Sequence, residues 1–430
     1  MQKYTFSQAS EAQELIDKLA GRHLGEQNVE GEVREILEAV KIKKDSFLIE
    51  KIRAFDCREF NNPLRLSESE IQQGAAQVSP EDMEIIAEAA RNIRSFHEAQ
   101  LEKSWFQTRE DGTILGQKIS PVRRAGLYVP GGKGGNTPLI SSLLMQAIPA
   151  QVAGVKEIAV TSPPRENGTL NPYLLAAAYL LDITEVYRVG GPWAVGALAY
   201  GTESIKAVDV ITGPGNQYVT MAKKMVQGQV GIDMLAGPSE ILVLADDSAN
   251  PEYVAADLLS QAEHDSLASA VCVTTSPYLA DKILESVEKR LADLPRADIA
   301  RESVENFGAV IIVPTMQTGI EIANRIAPEH MELMVQEPWN YVPHINTAGA
   351  LFLGAWSPEP VGDYFAGPNH VLPTQGTARY ASALGVQTFC KKTSIISASM
   401  KFTRAKASSI AKLARMEGLE AHAKSVEMRK

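Results

Sequence analysis

The sequence predicts an α/β protein of two lobes with parallel-rich sheets, plus helical N-terminal and C-terminal segments. Three observations predict it. From about Gly126, short apolar runs alternate with helix-length stretches, the rhythm of strands and crossover helices. A second alternation of the same kind begins near Glu240. The chain of 430 residues is also longer than one hydrophobic core usually serves.

The elements follow in order. The first 105 residues read mostly as helix, with a charged amphipathic segment over 30–44. A long helix is predicted over 80–103, with Ser79 as N-cap, Pro80 in first position and acidic residues in the first turn. The first alternation places strands at 126–130, 157–161, 185–189 and 208–212. Its helices fall at 138–152, 172–181, an Ala-rich run to Tyr200, and 217–227. The second places strands at 241–245, 269–274, 309–314, 331–335 and 350–353, with helices at 251–264, 279–294 and 316–326. Two such lobes leave a cleft between them, a common place for a ligand. The tail from 402 to 430, rich in Ala, Lys, Arg and Glu, reads as one helix or two.

Composition narrows the class. At 45% hydrophobic and 22% charged residues the balance is that of a soluble globular chain. A net charge of -10 argues against general affinity for nucleic acid or anionic lipid. No stretch reaches the roughly 18 apolar residues of a membrane span, and the polar N-terminus has no apolar signal core. Cys57, Cys272 and Cys390 are scattered, which suggests reduced thiols and a cytoplasmic enzyme.

Several strands of the first lobe end in glycine turns: 131–135, Gly190-Gly191 and Gly213-Pro214-Gly215-Asn216. Turns that open helices can hold phosphate on backbone amides. No GxGxxG fingerprint or P-loop is present, so plain turn residues remain an equal reading.

Four of the seven histidines sit in polar clusters. Gln261 and His264 lie three apart in a predicted helix and share a face, a spacing that suits two ligands on one metal; a solvated helix end is the alternative. Glu329-His330 follows Pro328 and offers two proton acceptors, or a surface pair. Asp363 and His370 frame a Gly/Pro-rich loop of the kind that carries function, or a plain surface loop. Glu417 and His422 are five apart in the tail, about 140° around a helix, and read alone as an exposed tail. Ser239 is no GxSxG nucleophile, because Ile241 replaces the second glycine.

Taken together, the segments closely resemble the histidinol dehydrogenase family. The matching runs include GLYVPGG (126–132), GPGNQYVT (213–220), AGPSEILVLAD (236–246), DLLSQAEHD (257–265), APEHMEL (327–333), GDYFAGPNHVLPT (362–374) and EGLEAHAKSV (417–426). They follow the family's order. The resemblance implies zinc ligands at Gln261, His264, Asp363 and His422, and a catalytic pair at Glu329 and His330. It implies substrate contacts at Ser239, His330 and Glu417 together with the metal ligands, with His370 nearby. Nucleotide contacts are implied at Tyr128 and Asn216. Gly-Gly-Ala-Gln of the family becomes Gly190-Gly191-Pro192-Trp193 here, so Trp193 is expected to contact the nucleotide differently, by stacking. The loop 134–138 also departs from the family's Ala-Ala-Tyr-Pro-Ser-like run.

The resemblance further implies two incomplete Rossmann-like lobes and a domain-swapped homodimer. Expected boundaries are an N-terminal helical segment (1–25), a zinc and substrate lobe (26–126 with 238–382), a nucleotide lobe (127–237) and a tail reaching the partner (383–430). The implied reaction is NAD-dependent, zinc-requiring oxidation of L-histidinol to L-histidine through the aldehyde. Two rivals are a sister dehydrogenase for another polar alcohol, such as a sulfopropanediol, and a metal-dependent hydrolase.

Overall fold

The computed structural model describes residues 1–22, 26–132, 135–137 and 139–430. Lys133 and Gly134 of the first glycine turn, and Pro138 at the expected start of the next helix, lie outside the described residues.

The first lobe is a five-stranded sheet in the order Val186–Arg188, Glu157–Ser162, Arg124–Tyr128, Val210–Thr212, Gly231–Ile232, with all neighbours parallel. The central strand Arg124–Tyr128 is buried along its whole length, because helices cover both faces. Helices Ile140–Ala153 and Pro172–Leu180 bury Leu143, Ile148 and Leu174 against Leu127 on one face. Helices Gly191–Tyr200 and Gln217–Val226 bury Leu198 and Val219 with Val189 and Ile211 on the other.

The second lobe is a six-stranded parallel sheet in the order Gln2–Thr5, Gly308–Ile312, Ser269–Thr274, Glu240–Ala245, His330–Met334, Ala350–Leu353. Helices Pro251–Ala262, Pro277–Leu291 and Ala297–Phe307 cover one face, and Met316–Ile326 with Gln13–Ala20 the other. Met316–Ile326 and Ala350–Leu353 fall on the expected residues. Helix Ala297–Phe307 is an addition to the expected set. The helix expected over 251–264 stops at Ala262, which changes the setting of His264.

A third sheet, antiparallel, joins Trp105–Thr108, Ile114–Pro121 and Cys390–Ser397. Beyond it the tail continues as two helices, Met400–Met416 and Glu420–Glu427, packed on each other. The tail is therefore a strand followed by two helices. Among the described residues no helix is long and apolar enough to cross a membrane.

Two expectations about the N-terminal region are corrected. Residues 1–25 are not simply helical, since Gln2–Thr5 is the edge strand of the six-stranded sheet. Residues 26–98 pack largely on the five-stranded lobe, while helix Pro80–Glu98 also touches the 362–371 loop of the expected zinc lobe. Helix Glu26–Phe55 bends at Lys44 (φ 49) and buries Val33, Leu37, Leu48 and Ile52 against that lobe. Helix Pro80–Glu98 buries Ile86 and Ile93 beside Leu127 and Leu143. Each helix has one apolar stripe, and packing decides which lobe receives it. Ser79 caps the second helix as expected, its side chain accepting the Asp82 N–H at 3.1 Å.

Candidate active site

Glu329 and His330 stand where helix Met316–Ile326 ends and the next strand begins. Ala327 takes left-handed backbone geometry (φ 52) and Pro328 cannot continue the helix. His330 opens its strand and enters the sheet, 3% exposed. Its Nδ1 lies 3.0 Å from the backbone carbonyl oxygen of Glu240. A carbonyl oxygen only accepts, so Nδ1 keeps its proton and Nε2 carries the lone pair when the ring is neutral. Nε2 is buried without a hydrogen-bond partner, 3.4 Å from Asp363 Oδ1 at ion-pair range. Glu329 Oε2 stands 3.6 Å from Nδ1. Burial alone would lower the His330 pKa; Glu329, Asp363 and Glu359 outweigh it and raise it to about 10. Burial pushes the Glu329 carboxyl up to about 8, with partial relief from His330.

Asp363 lies on a π-helical turn, Gly362–Ala366, just after the short helix Glu359–Val361. Such turns are rare and concentrate at functional sites. One ligand atom each of His330, Glu359 and Asp363 lie within 4.8 Å of one another. Burial and then Asp363 raise the Glu359 carboxyl to about 8. Burial would raise Asp363 too, but His330 holds it below the ordinary carboxylate value. Gln261 is buried in the last turn of helix Pro251–Ala262, its side chain facing Glu359 closely enough to lower that carboxyl's pKa. His264 lies in the turn beyond, its N–H donating to the Gln261 carbonyl oxygen at 3.1 Å. The pair therefore sits at the carboxyl end of the helix and not within it. The turn still brings His264 within electrostatic reach of Asp363 and His330, and crowding lowers its pKa although the residue faces solvent.

His370 closes the same loop, Nδ1 2.9 Å from the Asp363 carbonyl oxygen. The loop is tied to the other lobe: Asn92 Nδ2 donates to the Phe365 carbonyl oxygen at 2.9 Å, and Asn369 Nδ2 to that of Met145 at 2.5 Å. Ser239 is half-buried directly before Glu240. Glu417 lies in the turn between the tail helices and His422 on the second of them, both exposed. Among the described residues neither side chain makes a hydrogen bond or ion pair, and the cluster of ligand atoms within one chain is that of His330, Glu359 and Asp363.

On the nucleotide side, Tyr128 ends its strand and is buried. Its hydroxyl accepts the Gly191 N–H at 3.3 Å, joining two of the predicted turns, and burial raises its pKa to about 12. Asn216 caps helix Gln217–Val226, its Oδ1 accepting the N–H groups of Tyr218 and Val219 at 3.1 and 3.2 Å. Asn216 is exposed. Gly213 has φ 114, and a Cβ there would meet the Tyr128 carbonyl oxygen at 2.1 Å, so only glycine fits. The buried pair Lys223–Asp233 grips this turn: Lys223 Nζ donates to the Gly213 carbonyl oxygen and Asp233 accepts the Gly213 N–H, each at 2.8 Å. Trp193 is held by protein neighbours. The residue is 8% exposed, lies against Gly191 and stacks on Phe55 at 5.5 Å.

The sequence reading did not single out Glu240, Glu359 or Arg22. A signal existed for the first: Glu240 opens the otherwise apolar, fully buried strand Glu240–Ala245. A charged residue there needs a partner. Arg22, which supplies it, lies in no motif.

Similarities to known proteins agree with this geometry. Residues 20–430 match the family model described as histidinol dehydrogenase. The chain is 61% identical over 416 residues to the histidinol dehydrogenase of Nitratidesulfovibrio vulgaris, covering 96% of this chain and 95% of that one. It is 57% identical over 426 residues to that of Oleidesulfovibrio alaskensis, covering 99% and 98%. Its fold is similar to the crystal structure of histidinol dehydrogenase from Elizabethkingia anophelis, with a TM-score of 0.93 at 40% identity over 100% of this chain and 98% of that one. With near-complete coverage and this identity, the chain belongs to the histidinol dehydrogenase family.

Proposed function

We propose that the protein oxidises L-histidinol to L-histidine through L-histidinaldehyde in histidine biosynthesis, using NAD and one zinc ion per subunit in the cytoplasm. The supporting observation is the buried cluster of Glu329, His330 and Asp363, with Gln261 and His264 at its side. Imidazole nitrogen with carboxylate and amide oxygen makes a donor set that suits zinc. The partnerless buried Nε2 of His330 marks the place where a further group fits.

Gln261, His264 and Asp363 of one subunit would hold the metal, completed by the partner subunit's His422 in a homodimer. The partner subunit's Glu417 would join the substrate contacts beside Ser239 and His370. Exposed apolar residues along the tail, Leu413 and Met416 among them, support burial against a second copy. When bound, zinc orients the substrate's imidazole and amino nitrogens, and NAD takes up the hydride.

The chain's own residues manage the protons. In the neutral form of the ring, His330 Nε2 takes the alcohol proton, with Nδ1–H held on the Glu240 carbonyl oxygen. Glu329 takes a proton from the water that adds to the aldehyde carbon. The partial positive charge of the helix N-termini at Gly191 and Gln217 favours the pyrophosphate, and Tyr128 and Asn216 hold the turns in place by accepting their N–H groups.

The test is NADH formation from L-histidinol. Two NADH per histidinol supports the four-electron reading; no NADH from histidinol, with NADH from a sulfopropanediol, would overturn it in favour of the sister activity.

A further inference from the structure

We propose that Arg22 and Glu240 are positioning residues for the Glu329–His330 pair, an inference that rests on the roles given to that pair above. Glu240 meets the pair with three groups. Its N–H donates to Glu329 Oε2 at 3.0 Å. Its carboxylate Oε2 accepts the Glu329 N–H at 3.3 Å. Its carbonyl oxygen faces His330 Nδ1 at 3.0 Å. The first contact orients the Glu329 carboxylate, the second fixes the turn from which both residues project, and the third sets the imidazole tautomer.

This arrangement puts two carboxylates side by side in the core, which is stable only if one is compensated. Arg22 compensates Glu240. Its guanidinium forms an ion pair with Glu240 Oε1, both side chains being almost fully buried. The other nitrogens are also used: Nε donates to the Leu19 carbonyl oxygen at 2.6 Å and Nη1 to that of Leu267 at 2.9 Å. The Gln375 N–H adds a second donor to Glu240 Oε1 at 3.0 Å. A residue just past the N-terminal helix therefore holds the catalytic pair without touching it.

The two members of the pair depend on Glu240 differently. Glu329 is bound through the Glu240 carboxylate and N–H. His330 is bound through a backbone carbonyl whose place is fixed by the parallel ladder between the two strands. Loss of Arg22 should therefore disturb Glu329 first, and slow aldehyde oxidation more than alcohol oxidation.

The zinc-loaded holoenzyme tests this in two assays: single-turnover NADH formation from L-histidinol, and steady-state oxidation of L-histidinaldehyde. Arg22→Met is expected to lower kcat for the aldehyde about 10-fold, with KM within about twofold and the first hydride transfer within about threefold. Arg22→Lys is expected to lose about threefold in the aldehyde step only, because one donor remains. The double variant Arg22→Met with Glu240→Gln should be less impaired than Arg22→Met alone, because no buried charge is left unpaired. Equal loss in both half-reactions, or a double variant worse than the single one, overturns the proposal. If Arg22→Met does not fold, Arg22→Lys decides by the same selectivity. Glu329→Gln separates the two failures. If it spares aldehyde oxidation, the role given to Glu329 fails. If it abolishes that step while Arg22→Met leaves it unchanged, only the positioning inference fails.

Discussion

The two lobes offer opposite edges of their sheets to function. In the five-stranded lobe, Tyr128 and the turns Gly190-Gly191 and Gly213–Asn216 follow the carboxyl ends of strands, where helices begin. In the six-stranded lobe, Glu240 and His330 are the first residues of their strands, and Gln261 and His264 lie at a helix carboxyl end. A helix N-terminus presents unpaired N–H groups and partial positive charge; a C-terminus presents carbonyl oxygens and partial negative charge. One edge suits a pyrophosphate, the other a cation and proton transfer. The lobes also differ in what they bury. The second places Glu329, His330 and Glu359 inside, whereas the first builds its turns from backbone and one Lys–Asp pair. In the proposed function the same architecture would serve two chemistries by reversing which edge is used.

The largest effect should follow from His330→Asn, which removes the proton acceptor of the second lobe. Turnover should fall about a thousandfold. Zinc content, read by elemental analysis, should stay at the wild-type level. Near-normal turnover would end the role given to His330. On the first lobe the counterpart is Lys223→Met, which leaves Asp233 buried and unpaired. Urea unfolding should show a loss of about 3 kcal/mol, and NAD affinity should fall with zinc content unchanged. Unaltered NAD binding would break the link between this pair and the nucleotide turn.

The metal-free protein should separate the lobes by pH. Glu329, Glu359 and His330 all bind protons more tightly in the folded chain, with pKa values raised to about 8, 8 and 10. Their contribution is complete at low pH and is lost as pH rises through those values. Glu185 in the first lobe behaves oppositely. Burial pushes it up, but Arg124 and Tyr187 hold its pKa below the ordinary carboxylate value, so its contribution is lost as pH falls through that lowered value. Tm should decline on the alkaline side, and Glu359→Gln should flatten that decline alone. A matching effect from Glu185→Gln on the alkaline side would contradict the assignment. The smallest effect is expected for Asn216→Ala, about 1 kcal/mol from the lost cap, read from thermal unfolding together with weaker NAD binding.

Both alternations were legible because buried parallel strands are apolar on both faces, as in Arg124–Tyr128 and Ser269–Thr274. Caps such as Ser79 and Asn216 announced helices locally. Strand Gln2–Thr5 gave no such signal, because this edge strand is polar and mostly exposed. The antiparallel sheet was equally silent: Trp105–Thr108 and Cys390–Ser397 bury no regular face, so no period-two pattern develops. The polar clusters were legible as residue types, but His264 was set in the wrong element because the helix ends at Ala262. Arg22 could not be found at all, since its meaning lies in Glu240, a contact made only by folding.

The division of labour between the lobes is tested most directly by measuring NAD affinity and turnover of L-histidinol on the same samples, before chelation, after chelation and after zinc is restored. Turnover should vanish and return with the metal, while the NAD Kd stays within about threefold throughout. Parallel loss of NAD binding and turnover on chelation would contradict the account.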